Sequence, residues 1–175
     1  MSYGEIMSLK KKINNAHFLF LTHSDTQLVT QTALNKGIDD SSFTVTHCEN
    51  HKIPEFLSIS DAGIFFINSY MKLGSCPIKF AEYLSCGLPV VLNPGIGDTE
   101  TIVNANNIGV VVKDFSIEEY DYSVNNLLTL VNNETDLNSR CRRVANDEFS
   151  LKKGSQKYLS IYNFIHPGIN ANSPS

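Results

Sequence analysis

The sequence predicts an α/β protein: a Rossmann-like parallel sheet of about five strands with helices on both faces and further helices appended at the C-terminus. Three observations predict it. Short apolar, β-branched runs alternate with stretches of helical periodicity; cap and stop residues stand at the boundaries between them; and after residue 116 the chain reads as helix alone. Repeated strand–helix–strand units with right-handed crossovers build a parallel sheet covered on both faces. With 175 residues and 42% hydrophobic composition, residues 1–165 are expected to form one domain with a real core, and 166–175 a disordered tail.

The elements follow in order. Residues 5–14 form a helix with Ile6, Leu9 and Ile13 on one side and three lysines in solvent. Strand 17–22 comes next; Asp25 caps a helix running to Lys36, which Gly37 ends, and 43–48 is a β-branched strand. Pro54 opens a helix through Ser60, and 63–68 is a strongly apolar buried strand. A helix over about 77–86 precedes strand 90–93, a helix from Asp98 or Thr99 precedes strand 109–113, and no repeat or linker interrupts the series. In the helical remainder, Ser116-x-x-Glu119 is a capping box opening a helix to about Asn132, Thr135 caps the next helix and Ser150 the last, over 151–165.

Composition excludes several function classes. A net charge of −4 gives no reason to expect nucleic acid or an anionic membrane as partner. Cys48, Cys76, Cys86 and Cys141 show no C-x-x-C spacing and no paired histidines, so neither zinc nor a redox pair is supported and no metal or cofactor is expected. They read as reduced thiols of a cytoplasmic protein. The polar start carries no secretory signal, and no apolar run reaches the roughly 20 residues a membrane span requires. Asn133-Glu134-Thr135 matches the glycosylation pattern, but in an Asn-rich chain with no signal peptide this is read as chance. No Ser-His-Asp or Cys-His constellation can be argued from spacing, and the aromatic residues read as core or interface.

The most informative stretch is 75–92. Pro77 suits the first helical position with Ser75 or Cys76 as cap, Gly87 fits the left-handed position after the last turn, and Pro89 blocks continuation before the apolar run Val90, Val91 and Leu92. A helix N-terminus favours anions, so Lys79 in the first turn is on the electrostatically wrong side unless a phosphate binds there. Glu82, one turn on and on the side of Ile78, is placed to accept hydrogen bonds from a ribose diol. The other reading is that Lys79 and Glu82 are an i, i+3 surface pair. Both 68–74 and 93–97 follow strands and converge on this helix start, in the crevice beyond the strand ends where ligands of open α/β sheets bind. Gly95 and Gly97 either let backbone approach a phosphate or sugar closely or merely shape a tight turn. His23-Ser24-Asp25 occupies another loop on the rim, and His47 and His51 flank Cys48 and Glu49 without metal-ligand spacing.

Pro77-x-Lys79-x-x-Glu82-Tyr83-Leu84-x-x-Gly87-x-Pro89-Val90-Val91 resembles the donor-site helix of the retaining glycosyltransferases of family 4, which have the two-domain GT-B fold. The resemblance continues through Gly95-x-Gly97-x-x-Glu100-x-Ile102-Val103 and Gly109-Val110-Val111-Val112 to Phe149 and Ile161-Tyr162, covering roughly 53–165. It implies the C-terminal, donor-binding domain of such an enzyme, with a nucleoside-diphosphate sugar as ligand. The donor site would comprise Gly74, Ser75, Cys76, Ile78, Lys79, Glu82, Gly95, Ile96 and Gly97, with Glu82 on the ribose and the helix N-terminus and Lys79 on the diphosphate. His47 and His51 lie where the family places the base.

Two departures accompany the resemblance. Many members carry a second acid eight positions before the ribose carboxylate, where this chain has Gly74, and the family's upstream Arg and Lys and its N-terminal acceptor domain have no counterpart here. The expectation is therefore half of an enzyme, inactive alone, whose acceptor domain lies on another chain and whose last helix is incompletely covered and prone to self-association. The alternatives are a non-catalytic nucleotide-binding or interaction module, and part of a GT-B sugar-nucleotide epimerase. Because the family's first, central strand would also be absent, the sheet is expected to close by pairing 17–22 with 63–68, in the order 2-1-3-4-5.

Overall fold

The structure, a computed structural model, describes residues 3–23, 25–67, 74–75 and 77–166. The chain alternates as expected: α1 (Tyr3–Lys12), β1 (Phe18–Thr22), α2 (Thr26–Asn35), β2 (Phe43–His47), α3 (Ile53–Leu57), β3 (Gly63–Phe65), α4 (Ile78–Ser85), β4 (Val90–Leu92), α5 (Thr99–Asn106), β5 (Gly109–Val111), α6 (Ile117–Asn133), α7 (Leu137–Phe149) and α8 (Leu151–Ile165). The predicted tail beyond residue 166 lies outside the described residues.

Local chemistry explains most boundaries. Asp25 accepts from the Gln27 N–H at 2.8 Å to start α2, and Ser116 and Ser150 accept from Glu119 and Lys153 to start α6 and α8. The capping box is half formed, because Glu119 Oε1 takes the Lys113 N–H at 2.9 Å while the Ser116 N–H goes to Asp114. Thr135 does not cap α7; the cap position is Asp136, whose side chain makes no cap bond, and it binds Arg140 at 2.7 Å instead. Helix α4 ends in a Schellman turn, with Leu88 N–H on Tyr83 O and Gly87 N–H on Leu84 O, each at 2.9 Å, and Gly87 at φ 84°. From α7, Asn138 Nδ2 donates to Gly87 O at 2.9 Å and Arg142 Nη2 to Cys86 O at 3.0 Å, fastening that helix end.

The five described strands form two parallel sheets, one of β1 beside β2 and one of β3-β4-β5 in sequence, where a single sheet was expected. In the three-stranded part the faces bury different partners. Phe65, Val90 and Leu92 pack with Phe80, Leu84, Cys141 and Val144 of α4 and α7, while Val91, Val110 and Val112 pack with Tyr120 and Leu127 of α6. At about 1.5–3 kcal/mol for each fully buried large apolar side chain, this two-sided core dominates the fold. A smaller cluster, Phe20, Ala33, Ile38 and Phe43, holds β1 and β2 to α2.

The expected closure of the sheet does not occur. Neither β1 nor 63–67 takes the other as ladder partner. The reason lies in the cores: β1 is anchored to its own cluster and β3 to the clusters under α4 and α6, so no shared hydrophobic layer draws their edges together. Helix α8 packs on α7 and buries none of its residues; Leu151, Tyr158, Tyr162 and Phe164 are all exposed.

Burial also perturbs titration. Desolvation pushes the fully buried Cys141 thiol up to about 11, against the opposing pull of Arg140 and Arg142. Desolvation likewise raises Tyr83, with the Glu82 charge adding to it, and Cys86, where Arg142 opposes it. Each group is raised relative to the unfolded chain, so the native state keeps protons that the unfolded state releases, and stability is undiminished below the ordinary thiol value and lost as pH rises through the folded one. The chemical denaturation midpoint should therefore fall steadily from about pH 9 to pH 11, and Cys141→Ala should flatten that limb. A flat alkaline limb in the unsubstituted chain would contradict the buried thiol.

Candidate functional site

The carboxyl ends of β3 and β4 are tied by one side chain. Asn93, 2% exposed, accepts the Ile67 N–H at 2.9 Å and returns Nδ2 to Ile67 O at 3.0 Å, standing in for a ladder residue where the two strands diverge. Divergence at that point opens a rim from which the segments leading to α4 and α5 depart. On the α5 side, buried Ile96 plugs the loop into the core, and Thr99 donates its hydroxyl to Ile96 O at 2.7 Å, closing the turn. Asn93 and Thr99 carry this scaffold; the sequence placed Asn93 at a strand end and Thr99 or Asp98 at a helix start but did not foresee the bond each side chain makes, for which a polar residue closing an apolar strand run was the available signal.

The two loops meet at Gly97. Its φ is 50°, and a Cβ built there would collide with the Ser75 carbonyl oxygen, so the 93–97 turn lies directly against the segment leading into α4. Gly95 shares the left-handed conformation at φ 78°. Ser75 and Gly97 are thus brought together, with Ile96 buried beside Gly97, whereas Gly74 faces open space, a Cβ there meeting nothing within 4 Å. Cys76 and 68–73 lie outside the described residues.

Helix α4 begins one residue later than its proline suggested. Pro77, at φ −68° and ψ 120°, is the cap residue itself and supplies no side-chain cap bond; Ser75 does not occupy the cap position. An extended ψ at Pro77 turns the chain into the helix and leaves its first amide groups without intrahelical partners. Lys79 is the second helical residue and exposed, and Glu82 is half-buried one turn along. Neither side chain makes a hydrogen bond or ion pair among the described residues, and the two are not paired with one another. The surface-pair reading of these two charges is therefore not realised. Ile78, expected on an apolar face beside Glu82, is 76% exposed; the buried face of α4 is formed by Phe80 and Leu84.

The rim of β1 and β2 gathers a second group of polar side chains. The rings of His23 and His47 meet edge to face with centroids 5.1 Å apart, His23 Nε2 contacts Asn50 Oδ1 at 3.2 Å, and His51 Nδ1 lies 3.4 Å from Glu49. Cys48 is buried and donates its thiol to Glu49 O. Among the described residues no group of three or more His, Cys, Asp and Glu side chains is arranged to hold a metal ion. Asp25 is committed to capping α2.

The site thus combines an uncapped helix start, a nearby ammonium, an unpaired carboxylate and a glycine turn at strand ends. The sequence model of the family described as Glycosyl transferases group 1 matches residues 6–145. The chain belongs to this family. Solved structures show the same fold. The sucrose-phosphate synthase of Thermosynechococcus elongatus superposes at TM-score 0.72 with 14% identity, covering 96% of this chain and 43% of that one. AviGT4, a glycosyltransferase involved in avilamycin A biosynthesis, does so at 0.62 with 15% identity over 95% and 48%, and WaaG, a glycosyltransferase involved in lipopolysaccharide biosynthesis, at 0.58 with 17% identity over 92% and 51%. No curated protein sequence matches the chain significantly. The chain spans about half the length of these structures. No helix among the described residues is long and apolar enough to cross a membrane.

For this group 1 family member, Gly97→Val tests the junction of the two loops. A β-branched residue at φ 50° against a backbone oxygen should cost on the order of 1–3 kcal/mol, read as a lower denaturation midpoint at unchanged slope. A loss under about 0.5 kcal/mol would mean that the loops do not meet there.

Proposed function

We propose that the chain is the nucleotide-sugar-binding half of a GT-B glycosyltransferase, one that moves a sugar from a nucleoside-diphosphate donor to an acceptor. The observation that carries this reading is the pair Lys79 and Glu82, adjacent to an uncapped helix start and unengaged by any described residue. A diphosphate at the start of α4 takes the helix amides and the Lys79 ammonium, and the Glu82 carboxylate accepts from the ribose hydroxyls. Gly74, Ser75, Cys76, Ile78, Gly95, Ile96 and Gly97 frame the donor. In a retaining transfer the same helix terminus and Lys79 stabilise the departing nucleoside diphosphate, a role needing no proton relay from this half. The acceptor domain is assigned to polypeptide outside these residues, so this half alone is inactive. Gly74, where many members of the resembled family carry an acid, favours a second reading, a nucleotide-binding module without transfer.

Uridine or guanosine diphosphate should bind with a dissociation constant of ~mM, since only half a cleft is present. Titration calorimetry reads this directly, and Glu82→Ala should weaken binding by on the order of 1–3 kcal/mol. A folded sample giving no heat with any nucleoside diphosphate well above that range would sink the donor-site reading. The same sample should turn over no donor sugar; transfer to any added acceptor would refute the assignment of activity to a second domain.

The exposed apolar positions of α8, Leu151, Tyr158, Tyr162 and Ile165, lie at helical spacing on one side of a helix that buries nothing. Self-association through this side is expected, seen in light scattering as dimers that grow with concentration. A strict monomer at high concentration would count against it.

A further inference from the structure

We propose that Asn93 is a positioning residue for the nucleotide: through Ile67, its side chain sets where the segment entering α4 lies against the 93–97 turn, and with it the place offered to the diphosphate. The proposal deepens the donor-site reading and rests on it for the ligand alone; the geometry it invokes stands without a nucleotide.

Asn93 is not itself a binding residue. It is buried, and its amide is engaged at both ends by the main chain of Ile67. The strand register shows what that engagement adds. β3 and β4 pair Gly63 with Val90, Ile64 with Val91 and Phe65 with Leu92, so the ladder stops two residues short of Ile67. The Asn93 side chain carries the pairing across that interval. An amide in a core position costs about 1–3 kcal/mol for each group left unmatched, so satisfying both of its groups fixes how Ile67 stands relative to β4.

The turn that Asn93 opens is itself held firmly. Ile96 is fully buried, the Thr99 hydroxyl donates to Ile96 O at 2.7 Å, and Gly95 and Gly97 take left-handed conformations. Two points ahead of α4 rest on this five-residue turn: Ile67 is bonded to Asn93 at its start, and the Ser75 carbonyl oxygen occupies the space of a Gly97 Cβ at its end. Slack at the first contact is passed to the second. Ser75 precedes the cap residue Pro77 by two positions and Lys79 follows it by two, so a displaced Ser75 displaces the helix start and the ammonium together. Hydrogen bonds to a phosphate weaken steeply once their distance or angle is lost.

Asn93→Asp separates positioning from general support. A protonated carboxyl offers one donor and one acceptor, as the amide does, whereas an ionised one has no proton for Ile67 O. Burial and the facing carbonyl oxygen favour the protonated form. Uridine diphosphate binding is measured by calorimetry from about pH 5 to about pH 8 on folded parent and variant, and the ratio of their affinities removes the titration of the nucleotide and of the groups they share. That ratio should start within roughly twofold of one and fall roughly tenfold as the pH rises. The amide resonances of Ser75 and Gly97 should titrate in step in the variant and not in the parent, while those of Phe43 and Val45, in the separate cluster under α2, stay still.

A ratio that does not change with pH, near one or low, overturns the proposal. So does movement of the Phe43 and Val45 resonances with the others, which would make Asn93 a support of the whole fold. Should Asn93→Asp unfold at the alkaline end, Asn93→Ala replaces it, with roughly tenfold weaker binding and displaced Ser75 and Gly97 resonances expected in a folded chain; parent-like binding, or unfolding of this variant too, overturns the proposal. If the parent binds no nucleoside diphosphate, the donor-site reading fails by itself, and the Ser75 and Gly97 resonances alone decide whether Asn93 sets their place.

Discussion

The two-sided burial of β4 is the constraint on which the molecule depends. Its three residues, Val90, Val91 and Leu92, are all buried, and it alone among the described strands has a partner on each side. Val90 and Leu92 fix α4 and α7 on one face, and Val91 meets the layer under α6 on the other. So short a strand cannot shift register without carrying apolar side chains to the wrong face, because each step of one residue exchanges the faces. The directions in which the chain leaves β3 and β4 are set by that register, and the rim is set by those directions.

What stands on the rim is held by few groups. Asn93, itself buried, takes both main-chain polar groups of the half-buried Ile67, and leaving a buried amide unmatched costs about 1–3 kcal/mol. Gly97 lets one loop rest on the backbone of another. Against this economy, Lys79 and Glu82 are charges with no assigned task within the described fold. Structural ion pairs elsewhere in the chain, such as Arg140 with Glu134 and Asp136, engage their charges. The contrast gives α4 its interest as a binding element.

Much of this was legible in the sequence because it is local. Asp25, Ser116 and Ser150 each cap within three residues of themselves, and Gly87 takes the left-handed conformation its position after α4 demanded. The alternation of strands and helices, and the family, were equally readable. Misses came where the deciding partner is distant or where two neighbours compete for one role. Pro77 against Ser75 at the start of α4, and Thr135 against Asp136 before α7, are choices between adjacent residues that composition does not resolve. The sheet did not close, because strand pairing depends on which hydrophobic cluster holds each strand, and Phe20 and Phe65 belong to different ones. Asn93 looked like the end of an apolar run because its partner lies 26 residues away.

The two ends of α4 are fastened by different means. Its C-terminal end is bonded by its own Schellman turn and gripped through Asn138 and Arg142. Its first turn is held by packing, through the fully buried Phe80 between Phe65 and Phe149. A side chain anchored in the core thus fixes the helix start from below, and its polar upper side, with Lys79 exposed, is left to solvent or to whatever settles there.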